Sequence, residues 1–332
     1  MRRIAPFIRL AVVGGAMVLA GCAEQATSPT PAPELSQAGL PEQAQAPRRI
    51  FELRTAVPAG GRDDGLLEQA KPGGGGHGGN TGIFYHGGPV LLNPNVVAVY
   101  WGTSTIYNGG PTPGTTGTGA SDGSLVGFFM RNIGGTPHWN INHTYSDGNN
   151  VLINNSLNYT GFWAANSTPP GSPSDAQIAN LIISGFNGGQ LSFDASTIYA
   201  VFTGAGVNLG GGFGSQYCAY HGHFSWNGND VKYAAMPHNI DFPSGCTSGR
   251  SSPNGDPAAD AEVNTLVHEL EEAATDPDLN AWYDRRGYEN ADKCAWNFGT
   301  TANSNITAGG KSFLVQQNWI NSGSGGCRIT NP

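Results

Sequence analysis

The chain has few charged residues and no run of more than two basic side chains. Charged residues make up 12% of its 332 residues, and the formal net charge is −8. Nucleic-acid-binding surfaces need clustered lysine and arginine, so this composition argues against that class of function. The chain also lacks a phosphate-binding loop and a glycine fingerprint placed between a predicted strand and a predicted helix. Those absences argue against nucleotide-dependent enzymes.

No apolar run is long enough to cross a membrane as a helix; the stretch at residues 11–20 is too short. It follows Arg2 and Arg3 and leads into Leu19-Ala20-Gly21-Cys22, so residues 1–21 are predicted to be a secretory signal. Leu-Ala-Gly-Cys is also the bacterial lipoprotein pattern, in which Cys22 receives lipid. We therefore expect an exported protein held on a membrane through Cys22. Its location would be the cell envelope, on the outer membrane if the host has one, or the extracellular space.

Composition divides the mature chain into two parts. Residues 22–82 are rich in Pro, Ala and Gly, which predicts a disordered tether. Residues 83–332 are predicted to form a single globular domain. Most of its loops are rich in glycine and asparagine, which suits an extracytoplasmic fold.

The ten residues 268–277 carry the clearest chemical signal, His-Glu-Leu-Glu-Glu-Ala-Ala-Thr-Asp-Pro. On a helix, His268 and Glu272 share a face roughly opposite an apolar stripe, with Glu269 on the flank. The pattern resembles the zincin motif His-Glu-x-x-His, with glutamate replacing the second histidine. The alternative is a charged surface helix with an incidental histidine.

Periodicity outlines the rest of the domain. Strands are predicted at 96–101, 198–202, 217–226 and 232–236, the last two joined by an Asn-Gly turn. Helices are predicted at 124–133, after Ser174, and from the Asp256-Pro257 cap to Thr275-Asp276-Pro277, while alternation at 139–157 predicts a hairpin. We expect an α/β (α+β) fold with a zincin-like mixed sheet, a metal-bearing helix and long Gly/Asn-rich loops.

A metal site on the 268–277 helix needs a third protein donor beside His268 and Glu272. Asp276, one turn further along, is the first choice. The other candidates follow the helix closely: Asp278, Glu289 and Asp292. The histidines on or beside predicted strands are interpreted as structural residues: His221, His223 and His238. The expected ion is a divalent metal, zinc ahead of calcium, although a set dominated by carboxylates is harder than zinc usually takes.

Four cysteines follow Cys22, all in the last third of the chain. An even number in an exported protein predicts two disulfides, although four cysteines allow three pairings. Pairing of sequence neighbours favours Cys218–Cys246 and Cys294–Cys327. A Cys/His zinc site is the weaker alternative, because the chain has no Cys-x-x-Cys pair.

Several segments together resemble one protein family. The chain reads Tyr-His-Gly-Gly-Pro-Val-Leu at 85–91, Val-Ala-Val-Tyr-Trp-Gly at 97–102 and Tyr-Cys-Ala-Tyr-His-Gly at 217–222. With the segments 276–283, 289–294 and 317–327, these are similar to the phosphate-induced, EXORDIUM-like proteins over about residues 85–330. The resemblance implies the fold and secretion; plant members are apoplastic proteins linked to growth. Bacterial and fungal relatives share the His-Glu-x-x-Glu…Thr-Asp-Pro pattern, so metal chemistry is implied for that branch alone.

Two functions remain open. In the first, the protein is a lipid-anchored, metal-dependent hydrolase resembling metallopeptidases, in which the ion activates water and Glu269 acts as general base on a peptide or cell-envelope substrate. In the second, it is a non-catalytic surface protein with a structural metal ion that binds envelope glycan or a protein partner. Whether it is an enzyme is left undecided by the sequence.

Overall fold

The computed structural model describes residues 82–210, 212–301 and 303–332. The predicted signal peptide, the lipidated Cys22 and nearly all of the predicted tether lie outside the described residues. The helices are α1 (Leu125–Asn132), α2 (Asp175–Asn187), α3 (Pro243–Cys246) and α4 (Pro257–Thr275). The strands are β1 (Phe84–Tyr85), β2 (Asn95–Trp101), β3 (Thr116–Thr118), β4 (Asn158–Ala165), β5 (Thr197–Thr203), β6 (Tyr220–Trp226), β7 (Asn229–Met236), β8 (Trp282–Tyr283), β9 (Ile306–Ala308), β10 (Lys311–Phe313), β11 (Asn318–Ile320) and β12 (Gly326–Arg328).

A six-stranded mixed sheet organises the described part of the chain, in the order β3-β4-β2-β5-β7-β6. The four central strands are parallel, while β3 and β6 run antiparallel at the two edges. Three two-stranded sheets, β1-β8, β9-β10 and β11-β12, lie outside it. The mixed α/β class predicted from the sequence is confirmed, whereas likeness to zincins stays a prediction.

Side-chain alternation places helices on both faces of the sheet. In β2, Ala98 and Tyr100 belong to the core that includes α1 and α4, while Val99 and Trp101 belong to the core under α2. Successive strand residues point to opposite faces, so the near-continuous apolar sequence of β2 reflects burial on both sides.

Capping residues set the helix ends where the sequence predicts them. Ser124 accepts a hydrogen bond from the Gly127 amide at the start of α1, and Ser174 forms a capping box with Gln177 at the start of α2. Asp256 caps α4 through the Ala259 amide, with a proline in the first turn.

The β6–β7 hairpin turns through Asn227 and Gly228, with φ of 50° and 76°. Both residues tolerate positive φ, which a two-residue turn of this kind requires. The strands predicted at 96–101, 198–202 and 232–236 form, and the one predicted at 217–226 forms from Tyr220 onward.

The hairpin predicted at 139–157 is wrong. Trp139–Thr144 form a 3-10 helix, and pairing is limited to an isolated bridge between Ser146 and Leu152. The next strand begins at Asn158 and runs parallel to β2. The burial of Trp139 and Ile141 is compatible with a short helical turn as well as with a strand. Alternation of polar and apolar residues over so short a segment therefore did not distinguish the two structures.

In the described residues, no helix is both long and apolar enough to cross a membrane.

Candidate metal centre

Helix α4 is buried on all sides from Glu262 to its end at Thr275, which is most of its length. Its apolar stripe packs toward the sheet and α1, while later parts of the chain cover its polar face. The backbone amide of Gln316 donates to Asn264 Oδ1 at 2.9 Å, and the Asn290 side chain donates to the backbone oxygen of Glu271 at 3.5 Å. The charged-surface-helix alternative is therefore wrong, and the polar residues of α4 lie inside the domain.

Two of these residues make the contact expected one helical turn apart. His268 Nε2 lies 3.1 Å from Glu272 Oε1, and their side chains are 1% and 4% exposed. Glu269 is equally buried and belongs to the same cluster rather than to a solvated flank.

The segment after α4 adds two carboxylates. Asp292 Oδ1 lies 3.6 Å from His268 Nε2, and the Asp292 amide donates to Glu272 Oε1 at 2.9 Å. Asp292 Oδ2 in turn accepts a hydrogen bond from the Glu289 amide at 3.2 Å. The short 3-10 turn Asp292–Cys294 is covalently attached to β12 by a disulfide between Cys294 and Cys327.

A second histidine belongs to the cluster, although the sequence alone led to its interpretation as a structural residue. His221 Nδ1 lies 3.5 Å from Glu269 Oε2 and 3.6 Å from Glu272 Oε2. Its other nitrogen, Nε2, lies 3.6 Å from Glu289 Oε1. Tyr220 and Phe224 of β6 face the α2 side of the sheet, so alternation turns His221 toward α4. That alternation was the available signal, but it does not reveal which helix lies opposite.

The other candidate ligands make contacts outside the central cluster. Asp276 caps the end of α4, and its Oδ1 accepts a hydrogen bond from the Ala281 amide at 2.5 Å. Among the described residues, possible metal-binding groups are those whose donor atoms all lie within 4.8 Å of one another. Asp292 belongs to one of these groups, and Asp276 belongs to none. Asp278 lies 3.2 Å from Lys232 Nζ, and His238 lies 2.9 Å from Asp241. Which side chains bind an ion stays a prediction.

Another group, His223, Asp230 and Asp278, has metal-like spacing on the outer part of β6 and β7. Lys232 Nζ lies 2.8 Å from Asp230 Oδ2 and 3.2 Å from Asp278 Oδ1. The ammonium group already supplies the positive charge between these carboxylates, so this group is not a competing metal site.

Burial and mutual charge shift the ionisation of the central cluster. For the acids, burial followed by the Glu272 charge raises the pKa of Asp292 to about 8, and burial raises the pKa values of Glu269 and Glu289. For Glu272, burial is the largest single effect and acts upward, but the charges and hydrogen bonds of His268 and His221 together outweigh it and lower the pKa to about 2.

Burial acts downward on the two imidazoles, yet the neighbouring carboxylates raise the pKa values of His221 and His268 well above the usual range. The cluster alone thus retains protons that a bound cation would displace.

Both predicted disulfides form. Cys218 pairs with Cys246, and Cys294 pairs with Cys327, with Cα–Cα distances of 5.4 and 5.5 Å. The first joins the segment before β6 to α3, and the second holds the turn that carries Asp292.

A family model described as "Phosphate-induced protein 1 conserved region" matches residues 136–311, just over half of the chain. The matched region includes β6, α4 and the 289–294 segment, and hence every member of the central cluster. Comparison with curated proteins and comparison with solved structures gave no match.

Proposed function

This chain belongs to the phosphate-induced protein 1 family, and we propose that it is an exported, lipid-anchored metalloprotein whose buried His/carboxylate cluster binds a divalent cation. The ion stabilises the domain, and Cys22 carries the lipid that keeps the protein at the cell envelope. Cell-envelope glycan or another envelope protein is its partner in this proposal.

One observation carries the metal-binding proposal: four carboxylates and two imidazoles converge in the interior. The acids are Glu269, Glu272, Glu289 and Asp292, the bases are His221 and His268, and each residue is at most 8% exposed. Burying an ion without compensation costs several kcal/mol even after relaxation of the protein. A bound divalent cation offsets that cost and satisfies the carboxylate oxygens together.

The proposed ion stabilises the domain because its ligands come from separate parts of the chain. His221 lies on β6, His268 and Glu272 lie on α4, and Asp292 lies on the turn after α4. An ion that binds this arrangement, and binds the unfolded chain much less, raises the free energy of unfolding. Imidazole nitrogen on two of the ligands favours zinc or a similar transition metal over calcium, which takes oxygen ligands.

The test is metal content together with stability. The full mature chain should contain a divalent metal by elemental analysis, and chelation should lower its melting temperature. His268→Ala should contain less metal than the wild type, and its melting temperature should respond less to chelator. The matched control is His223→Ala, two residues from His221 on the same strand, where the histidine pairs with Asp230 at 2.8 Å. A wild-type chain that neither retains nor rebinds metal after purification would refute the proposal.

Hydrolysis is the second candidate function, favoured by the position of Glu269. Its carboxylate lies beside the metal-binding histidine in sequence and within the same donor cluster. Burial raises its pKa, which brings a carboxyl group closer to the range useful for a general base at neutral pH. The stabilising role ranks first because Glu269 is 1% exposed, which leaves little room for a substrate to approach.

Glu269→Gln distinguishes the hydrolase from the stabilising metal site. A hydrolase in which Glu269 only moves protons would lose cleavage of a peptide library and retain its metal and melting temperature. A metal-loaded wild type that cleaves none of a diverse set of peptides would leave the stabilising role alone.

A further inference from the structure

The two carboxylate oxygens of Glu272 face different histidines. Oε1 lies 3.1 Å from His268 Nε2, and Oε2 lies 3.6 Å from His221 Nδ1. From this arrangement we infer that the centre holds two divalent transition-metal ions bridged by Glu272. One ion is held by His268 and Asp292, the other by His221 and Glu269. The inference rests on the metal-binding function proposed above and specifies its stoichiometry.

Most separations within the cluster fit metal coordination better than hydrogen bonding. His268 Nε2 is 3.6 Å from Asp292 Oδ1, and His221 Nδ1 is 3.5 Å from Glu269 Oε2. Hydrogen bonds from nitrogen to oxygen span roughly 2.7–3.2 Å, so these contacts are too long. Two donors that each lie about 2.0–2.1 Å from a tetrahedral ion are roughly 3.3–3.4 Å apart, close to the observed values.

The orientation of His221 leaves its inner nitrogen available for an ion. Nε2 lies 3.4 Å from the backbone oxygen of Asp276. In the tautomer with its hydrogen on Nε2, that hydrogen faces the Asp276 oxygen and Nδ1 keeps its lone pair toward Glu269 and Glu272. Metal-binding histidines commonly donate their second N–H to a carbonyl or carboxylate in this way.

One buried oxygen provides an independent indication of a cation site. Within the part of the chain that the structure describes, Asp292 Oδ1 accepts no hydrogen bond. It lies 3.6 Å from His268 Nε2, on the side where the first ion is placed. A buried carboxylate oxygen without a partner costs free energy unless an ion or a proton satisfies it.

The balance of charge favours two ions over one. Once bound metal has displaced their protons, the four carboxylates Glu269, Glu272, Glu289 and Asp292 carry four negative charges in a site that excludes water. One divalent ion with neutral imidazoles leaves two charges uncompensated, whereas two ions neutralise the site. Two ions bridged by one carboxylate lie about 3.5–4 Å apart in other two-metal sites.

The experiment counts ions and tests whether they share a ligand. The full mature chain is stripped with chelator and titrated with Zn²⁺, with bound metal measured by calorimetry and elemental analysis. We expect two ions per wild-type chain, one in His221→Ala, one in His268→Ala, and two in the control His223→Ala. Circular dichroism verifies that each variant is folded.

A measurement on the wild type alone avoids dependence on the variants. The stripped chain is loaded with Mn²⁺, and its electron paramagnetic resonance spectrum should show exchange coupling between the two ions. One Zn²⁺ per chain, or two Mn²⁺ ions with the spectrum of isolated ions, would overturn the shared centre and leave the proposed metal-binding function intact. Absence of bound metal would overturn both proposals. Glu269→Gln should retain fewer than two ions here, whereas it keeps all metal if Glu269 is only a general base.

Discussion

The two disulfides close loops of similar length, so their removal separates general stability from support of the metal centre. Cys218–Cys246 spans 28 residues and Cys294–Cys327 spans 33. The loop-entropy relation assigns each bond about 3–4 kcal/mol through the unfolded chain. In the presence of EDTA, the double serine variants of the two pairs should therefore lose similar free energies of unfolding, measured by denaturant titration.

The affinity for metal should distinguish the same two variants. His221 lies in β6, which pairs with β7 along its whole length, so the strand holds this residue without Cys218–Cys246. Asp292 lies on a single 3-10 turn that Cys294 ties to β12. Loss of groups that orient a ligand commonly lowers metal affinity about 10–100-fold. We expect a loss in this range for C294S/C327S and near-wild-type affinity for C218S/C246S.

Calorimetric titration with Zn²⁺ of the oxidised wild type and of the two variants measures the difference in metal affinity directly. Far-UV circular dichroism at the titration temperature confirms that each variant is folded. Equal affinities in the two variants would refute the idea that the Cys294–Cys327 bond supports the metal centre. A greater loss in C218S/C246S would show instead that β6 needs its own disulfide to position His221.

Three further predictions concern stability. Zn²⁺ at 100 times its dissociation constant should raise the free energy of unfolding of the stripped wild type by about 2.7 kcal/mol for each bound ion, and His268→Ala should respond less because it loses one ion site. Burial raises the pKa of Glu262 from 4.5 to about 8, so the folded chain keeps a proton that the unfolded chain releases above pH 4.5. The free energy of unfolding in EDTA should therefore fall as the pH rises from 4.5 to about 8. Glu262→Gln should remove the part of this dependence that Glu262 contributes, on the order of 4–5 kcal/mol for a pKa raised from 4.5 to about 8, and a pH profile identical to that of the wild type would contradict the shift. A Cβ at Gly119 would lie 2.2 Å from Tyr159 O, so Gly119→Ala should cost about 1–3 kcal/mol, whereas Gly171→Ala, with nothing within 4 Å, should cost little in the same thermal-unfolding assay.

Local residue patterns sufficed for several elements of the fold. Ser124, Ser174 and Asp256 mark the beginnings of three helices because their side chains cap backbone amides within the next few residues. The Asn227-Gly228 pair marks the β6–β7 turn because both residues accept positive φ. These interactions involve near neighbours in the chain and can therefore be predicted from the sequence.

The sequence by itself determined the ends of α4, the shared face of His268 and Glu272, and the even cysteine count that permits two disulfides. Only the tertiary structure decided that β6 lies beside α4, which brings His221 to Glu269 and Glu272, and that the chain after α4 buries the polar face of the helix. It also brought Asp292 to His268 while Asp276 became a helix cap. The physical reason is that helical and strand periods specify which residues share a face of one element. Which faces meet depends on strand order and on the path of distant segments, and no local period encodes either.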